Sequence, residues 1–137
     1  IEMGLLDGGL KVADLPEVWN AKMEEYLGVT PPNNSKGVLQ DVHWSGGGFG
    51  SFPVYTVGNV MSSQFLKAAY EQVGGLDVSI KQGDYAPLLK WLQDNVYRHG
   101  RAYSANELLL RSTGAELHVK PYLAYLEAKF SELYGLS

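Results

Sequence analysis

The sequence predicts an all-α protein, and three observations carry that prediction. Apolar residues recur at spacings of three and four. Most of the runs they form close on glycine. No sustained period-two run of β-branched residues marks a strand. Taken in order, Ile1–Leu10 reads as the end of a helix, which suggests a piece of something longer. Asp14 is placed to cap a helix with Pro16 in its first turn, Trp19, Met23 and Tyr26/Leu27 on one face, and Gly28 as its stop. Thr30-Pro31-Pro32-Asn33-Asn34 is a turn or short extended link. Pro53 opens a long helix to about Val73, ended by Gly74-Gly75 and apolar or small on nearly all faces through Leu66, the pattern of a central helix. A short helix follows over Asp77–Gln82. Asp84 then caps another to His99, with Leu88, Leu92 and Val96 on one face. Ser104-Ala105-Asn106-Glu107 matches a capping box, in which hydroxyl and carboxylate satisfy each other's backbone N–H groups. A final helix runs from about Pro121 to Tyr134.

At 137 residues the chain is sized for one domain, without internal repeats or a low-complexity tail. Its net charge of −4 excludes a general nucleic-acid surface, which needs clustered basic residues. The absence of cysteine removes disulfides, thiolate chemistry and Cys-based zinc sites, and is compatible with a cytoplasmic location. Residues 1–28 carry two lysines against six acids and account for the whole net charge. Between Asp41 and Lys67 lie 25 residues with no charged side chain. That length suits a membrane span, but His43, Asn59, Gln64, Pro53, five glycines and four serines rule one out. The segment is therefore expected to be buried in protein.

One stretch is composed for chemistry. Gln40, Asp41, His43 and Trp44 bring an amide, a carboxylate, an imidazole and an indole within five residues, ahead of the glycine run Gly46-Gly47-Gly48-Phe49-Gly50. A buried aspartate beside a histidine fixes its tautomer or favours its charged form. Such an imidazole can donate to a carbonyl oxygen that is gaining negative charge. The other reading makes His43 a satisfied core histidine and the glycines simple turns. The glycine run is no phosphate loop: no lysine follows before Lys67, and Ser51 stands where G-x-G-x-x-G needs its third glycine. His43, His99 and His118 lack the spacing of a metal site, and no G-x-S-x-G marks a nucleophilic serine.

Gly37-x-x-Gln40-Asp41-x-His43-Trp44 resembles the G-x-x-Q-D-x-H-W signature of the carboxypeptidase Taq family, zinc metallocarboxypeptidases with an HExxH site. Further stretches resemble the same family: Asp14-Leu-Pro-Glu-Val-Trp19-Asn20, Glu24-Glu25-Tyr26-Leu-Gly28, Phe52-Pro53-x-Tyr55-x-x-Gly58-Asn59, Arg98-His99-Gly100-Arg101-x-Tyr103 and Ser131-Glu132-Leu133-Tyr134-Gly135-Leu136. The resemblance covers essentially all 137 residues. It implies the C-terminal portion of a larger, mainly helical, zincin-like enzyme that removes single residues from peptide C-termini. In that family two histidines of HExxH and a downstream glutamate hold zinc (or cobalt), and the motif's own glutamate activates the bound water. This sequence contains no HExxH. The expectation is that the chain alone binds no metal and is inactive, and that it forms one wall of a cleft completed by the N-terminal remainder of the enzyme.

The resemblance then suggests roles by position. His43 is the expected catalytic donor to the scissile carbonyl and its oxyanion. Gln40 and Asp41 orient that segment, packing or capping being the other reading for Gln40. Trp44 is a substrate contact or a core anchor, and Tyr55 a phenolic donor or a core tyrosine. Arg98 and Arg101 are candidates for the substrate's terminal carboxylate; helix C-terminal cations, favoured by the macrodipole, are the alternative. The family commonly has tyrosine where this chain has Ser51, whose side chain is too short to reach the same point. The competing function is a non-catalytic helical interaction or regulatory module. In either case the uncharged segment leaves an apolar face open on the isolated chain, so a homo-oligomer is expected. Neither nucleic acid nor a membrane is an expected partner.

Overall fold

The computed structural model describes residues 1–136, apart from the side chain of Ser45. Its elements are helices and short 3₁₀ turns, with no strand among the described residues. They form two compact units, residues 1–53 and 54–137.

In the first unit α1 (Glu2–Leu6) leads through a 3₁₀ turn at Val12–Asp14 into α2 (Leu15–Leu27). Pro16 lies in the first turn of α2, where its missing N–H costs nothing, and Gly28 closes the helix at φ 67°. Asp14 does not cap α2 as its position suggested. The 3₁₀ turn winds through it, its backbone is already helical, and its side chain makes no capping bond. After α2 the Asn33 carboxamide caps the turn Asn34–Lys36 by accepting from the Lys36 N–H at 3.1 Å. Two more 3₁₀ turns, Val38–Gln40 and Trp44–Gly46, carry the polar stretch. Gly37 stands at their head for steric reasons. A Cβ there would lie 3.1 Å from the Pro31 Cβ and 3.3 Å from the Asn33 carbonyl oxygen.

The second unit comprises α3 (Pro53–Gln72, its first residue at the unit boundary), α4 (Leu76–Lys81), α5 (Ala86–Asn95), α6 (Ala105–Thr113) and α7 (Lys120–Tyr134). Its core is Ala68, Ala69, Leu76 and Trp91, flanked by Phe65, Val73, Ile80, Leu88, Leu92 and Val96. Polar ties supplement this packing. Gln72 Oε1 accepts from the Trp91 indole at 2.8 Å. The buried Gln64 carboxamide donates to the Glu116 carbonyl and accepts from the His118 N–H, both at 3.0 Å. The Ser104/Glu107 capping box forms as its sequence predicts.

Two expectations need correction. Asp84 acts one residue outside the cap, accepting from the Ala86 N–H at 3.0 Å. The helix expected to reach His99 breaks at Val96 (φ −124°) and resumes as a 3₁₀ turn, Tyr97–His99. There the Asn95 side chain donates to the Trp91 carbonyl, and the Asn95 carbonyl accepts from the Ser112 hydroxyl. The uncharged segment leaves apolar side chains open on this chain, as expected: Val42, Val54 and Tyr55 are more than half exposed, and the core of the second unit engages the second half of α3.

Candidate functional site

The polar stretch folds around the backbone of His43. Asp41 is extended (φ −82°, ψ 107°), which turns its carboxylate back over the chain two residues on. Oδ1 accepts from the His43 backbone N–H at 2.9 Å and meets His43 Nδ1 at 3.1 Å. A carboxylate can only accept, so this contact suits an Nδ1–H donor and orients the ring with Nε2 on the side away from Asp41. Accessibility divides the pair: the Asp41 side chain is 5% exposed and that of His43 40%. His43 is thus no core histidine. It is a half-open imidazole on a buried carboxylate, with the Phe52 ring 4.4 Å from it, centroid to centroid.

The glycine run closes on the same residue. The Gly46 and Gly48 N–H groups both donate to the His43 carbonyl, at 3.1 and 2.8 Å. A Cβ on Gly48 would sit 3.2 Å from that oxygen, so this position tolerates little but glycine. Gly47 and Gly50 turn the chain at φ 76° and 73°. Ser51, the departure from the family pattern, directs its hydroxyl back to the Gly48 carbonyl at 3.4 Å.

Beside this loop lies an open groove of about 570 Å³, lined by Ile1, Glu2, Met3, Trp19, Gln40, Asp41, Trp44, Phe52 and Pro53. Trp44 is half-buried, edge-on to Trp19 at 6.0 Å, and its indole donates to Glu2 Oε1 at 2.8 Å. The other Glu2 oxygen accepts from the Gly50 N–H at 2.8 Å. Trp19 Nε1 is buried with no acceptor among the described residues.

Of the residues expected from sequence, Gln40, Asp41, His43 and Trp44 gather in this one place. Gln40 is exposed there, its carboxamide donating to the Ser35 carbonyl, which ties down the turn that precedes Asp41. Tyr55, Arg98 and Arg101 belong to the second unit: Tyr55 is 65% exposed in the first turn of α3, and both arginines are exposed around the Tyr97–His99 turn. Neither arginine forms an ion pair with another described residue. Sequence reading missed Glu2 and Trp19. Glu2 stands 42 residues before its indole partner, a separation no local motif records. Among the described residues no three of His, Asp and Glu converge as a metal ion requires. The residues present thus do not make a metal centre by themselves.

A helical chain that gathers its glycines and a buried carboxylate around one half-open imidazole can be compared with known proteins. The chain belongs to the carboxypeptidase Taq (M32) metallopeptidase family, whose profile matches residues 1–130. It is 41% identical over 135 residues to the thermostable carboxypeptidase 1 of Thermus thermophilus, covering 98% of this chain and 26% of that protein. It is 38% identical over 136 residues to carboxypeptidase 1 of Bacillus subtilis, covering 99% of this chain and 27% of the relative. The crystal structure of an M32 carboxypeptidase from Deinococcus radiodurans R1 superposes with a TM-score of 0.94 at 46% identity, over 98% of this chain and 27% of that one. The chain thus spans about a quarter of the length of the relatives it matches.

Proposed function

We propose that this chain is the C-terminal portion of a zinc (or cobalt) metallocarboxypeptidase, and that it supplies contacts to the substrate and the transition state rather than the metal ligands. The observation that carries this reading is the Asp41–His43 pair. With Nδ1 committed to a buried carboxylate, Nε2 is the ring nitrogen left to donate an N–H to a carbonyl oxygen that is gaining charge. The bound metal, held by the N-terminal remainder of the enzyme, would polarise the peptide carbonyl and supply the attacking water. Gln40 and the glycine loop keep the segment rigid, and Trp44 and Phe52 furnish the apolar wall. In this reading Arg98 and Arg101 remain candidates for the peptide's terminal carboxylate and Tyr55 for a phenolic donor.

The experiment is turnover of C-terminal residues from peptides by the enzyme that contains this chain, with metal content measured alongside. His43→Ala is expected to lower kcat by about 10²–10³-fold, the cost of one lost oxyanion donor. Metal stoichiometry should stay unchanged. Wild-type turnover in this variant would sink the reading. The isolated chain is expected to bind no stoichiometric zinc and to show no turnover until it is combined with the N-terminal remainder. The alternative, a helical interaction or regulatory module, draws on the many exposed apolar side chains. It predicts that His43→Ala leaves every activity intact. Self-association of the isolated chain and a cytoplasmic location accompany the proposal.

A further inference from the structure

Among the described residues, Glu2 is the acidic side chain whose hydrogen bonds come from donors far off in sequence. Each oxygen accepts one at 2.8 Å, Oε1 from the Trp44 indole and Oε2 from the Gly50 N–H. Its two donors stand six residues apart and bracket the glycine loop. Trp44 directly follows His43, and Gly50 ends the run that folds back on the His43 carbonyl. The loop's backbone hydrogen bonds to His43 are local in sequence, from Gly46 and Gly48, as is the Asp41 turn, while the Trp44 ring also packs edge-on to Trp19 of α2 at 6.0 Å. Packing of one ring leaves the Gly50 end untied. Glu2 ties both ends, since α1 presents the carboxylate to Trp44 and Gly50 at once. Hydrogen bonds to an ionised acceptor are also roughly twice as strong as neutral ones.

We propose that Glu2 is a positioning residue: a carboxylate strut that anchors the Trp44 and Gly50 ends of the glycine loop to α1 and so fixes where the His43 imidazole stands. The inference rests on the role given to His43 above for its effect on turnover, but not for its effect on the loop. Glutamate suits this task in a way glutamine does not. A carboxylate accepts at both oxygens, whereas glutamine accepts at one and turns an N–H₂ group toward a second donor. Glu2→Gln therefore keeps the side-chain volume and breaks one of the two bonds.

Two measurements test the strut. In the isolated chain, ¹⁵N NMR follows the Trp44 indole and Gly50 amide protons. Glu2→Gln is expected to shift at least one of them and to speed its hydrogen exchange about tenfold, the value of one charge-assisted bond. Trp44→Phe, which removes the indole donor and keeps an aromatic ring, should perturb the Gly50 amide in the same direction. Unchanged Gly50 exchange in both variants would overturn the proposal. In the enzyme containing this chain, Glu2→Gln should lower kcat about tenfold at nearly constant KM. A fall in melting temperature with kcat per folded enzyme intact would mean ordinary structural support, and would overturn the positioning role. If the NMR signature appears while His43→Ala retains full turnover, the strut stands and the function assigned to His43 falls.

Discussion

Asp41 and His43 show how two residues acquire an arrangement that neither has alone. The carboxylate is buried against its own backbone, and an aspartate two residues before the N–H that donates to it is a recurrent turn device. Here that device also captures the imidazole, because His43 Nδ1 lies close enough to share the same oxygen. Asp41→Asn keeps the shape and an accepting oxygen but removes the charge. The hydrogen bonds to that oxygen then lose their charge assistance, so exchange of the His43 amide proton should speed up, with Asp41→Ala losing loop order as well. Unchanged His43 amide exchange in Asp41→Asn would mean that the charge adds nothing to the turn. Glu107 offers a pH test. Its hydrogen bonds from the Ser104 hydroxyl and backbone hold its carboxyl below the usual glutamate value. A depressed folded-state value means that the group contributes stability above the ordinary glutamate range and loses it as pH falls through the lower, folded value. The fraying of α6, followed by amide exchange, should rise across that acidic window. In Ser104→Ala, which lacks the hydroxyl, the pH dependence should flatten.

Among the elements, α3 divides its labour along its length. Its second half buries Gln64, Ala68 and Ala69, and Ala69 is fully covered. Small side chains there let α3 approach the Leu76 and Trp91 side chains closely. Leu76 is 1% exposed, so Leu76→Ala opens a cavity in the densest part of the second unit. It is expected to cost about 3 kcal/mol, read as a lower denaturant midpoint at unchanged slope. The first half of α3 buries little, with Val54 60% and Tyr55 65% exposed. Substituting Val54 by threonine should therefore leave the stability of the isolated chain within about 0.5 kcal/mol of wild type. The final helix is similar: α7 buries no residue fully, while Leu123, Leu133 and Tyr134 are each more than half exposed.

For the whole molecule, surface area states the same imbalance. A compact monomer of 15.1 kDa exposes about 7,100 Å², and even two separate globules of these unit sizes would expose about 8,500 Å². This chain exposes 9908 Å². The excess over two separate globules approaches the area that a standard protein interface buries. A buried indole N–H without an acceptor, at Trp19, adds a polar deficit of about 1–3 kcal/mol. Both deficits are understandable in a chain that spans a quarter of its relatives' length. The exposed apolar surface should drive the isolated chain to self-associate. Light scattering over a concentration series should give masses that rise above that of the monomer and fall again when the N-terminal remainder of the proposed enzyme is added. A constant monomer mass at high concentration would count against that expectation. No helix among the described residues is long and apolar enough to cross a membrane.

What the sequence determined by itself is local or compositional. Helix stops at Gly28, Gly114 and Gly135, the capping box at Ser104 and the all-helical class follow from residue types within a few positions of one another. The motif residues Gln40, Asp41, His43 and Trp44 were legible for the same reason: their chemistry is packed into five positions. The break at Val96 was not legible, because it depends on Ser112 reaching the Asn95 carbonyl from another helix. An open apolar face on the uncharged segment was legible in its composition, whereas which half of α3 would be covered was not, since an apolar run reads alike along its length. Glu2 is the clearest case. An acidic residue in the first turn of a helix is ordinary in sequence, and only the folded chain sets its two oxygens against an indole and an amide 42 and 48 residues away. Tertiary structure decides such contacts because a hydrogen bond depends on distance in space, which sequence separation does not encode.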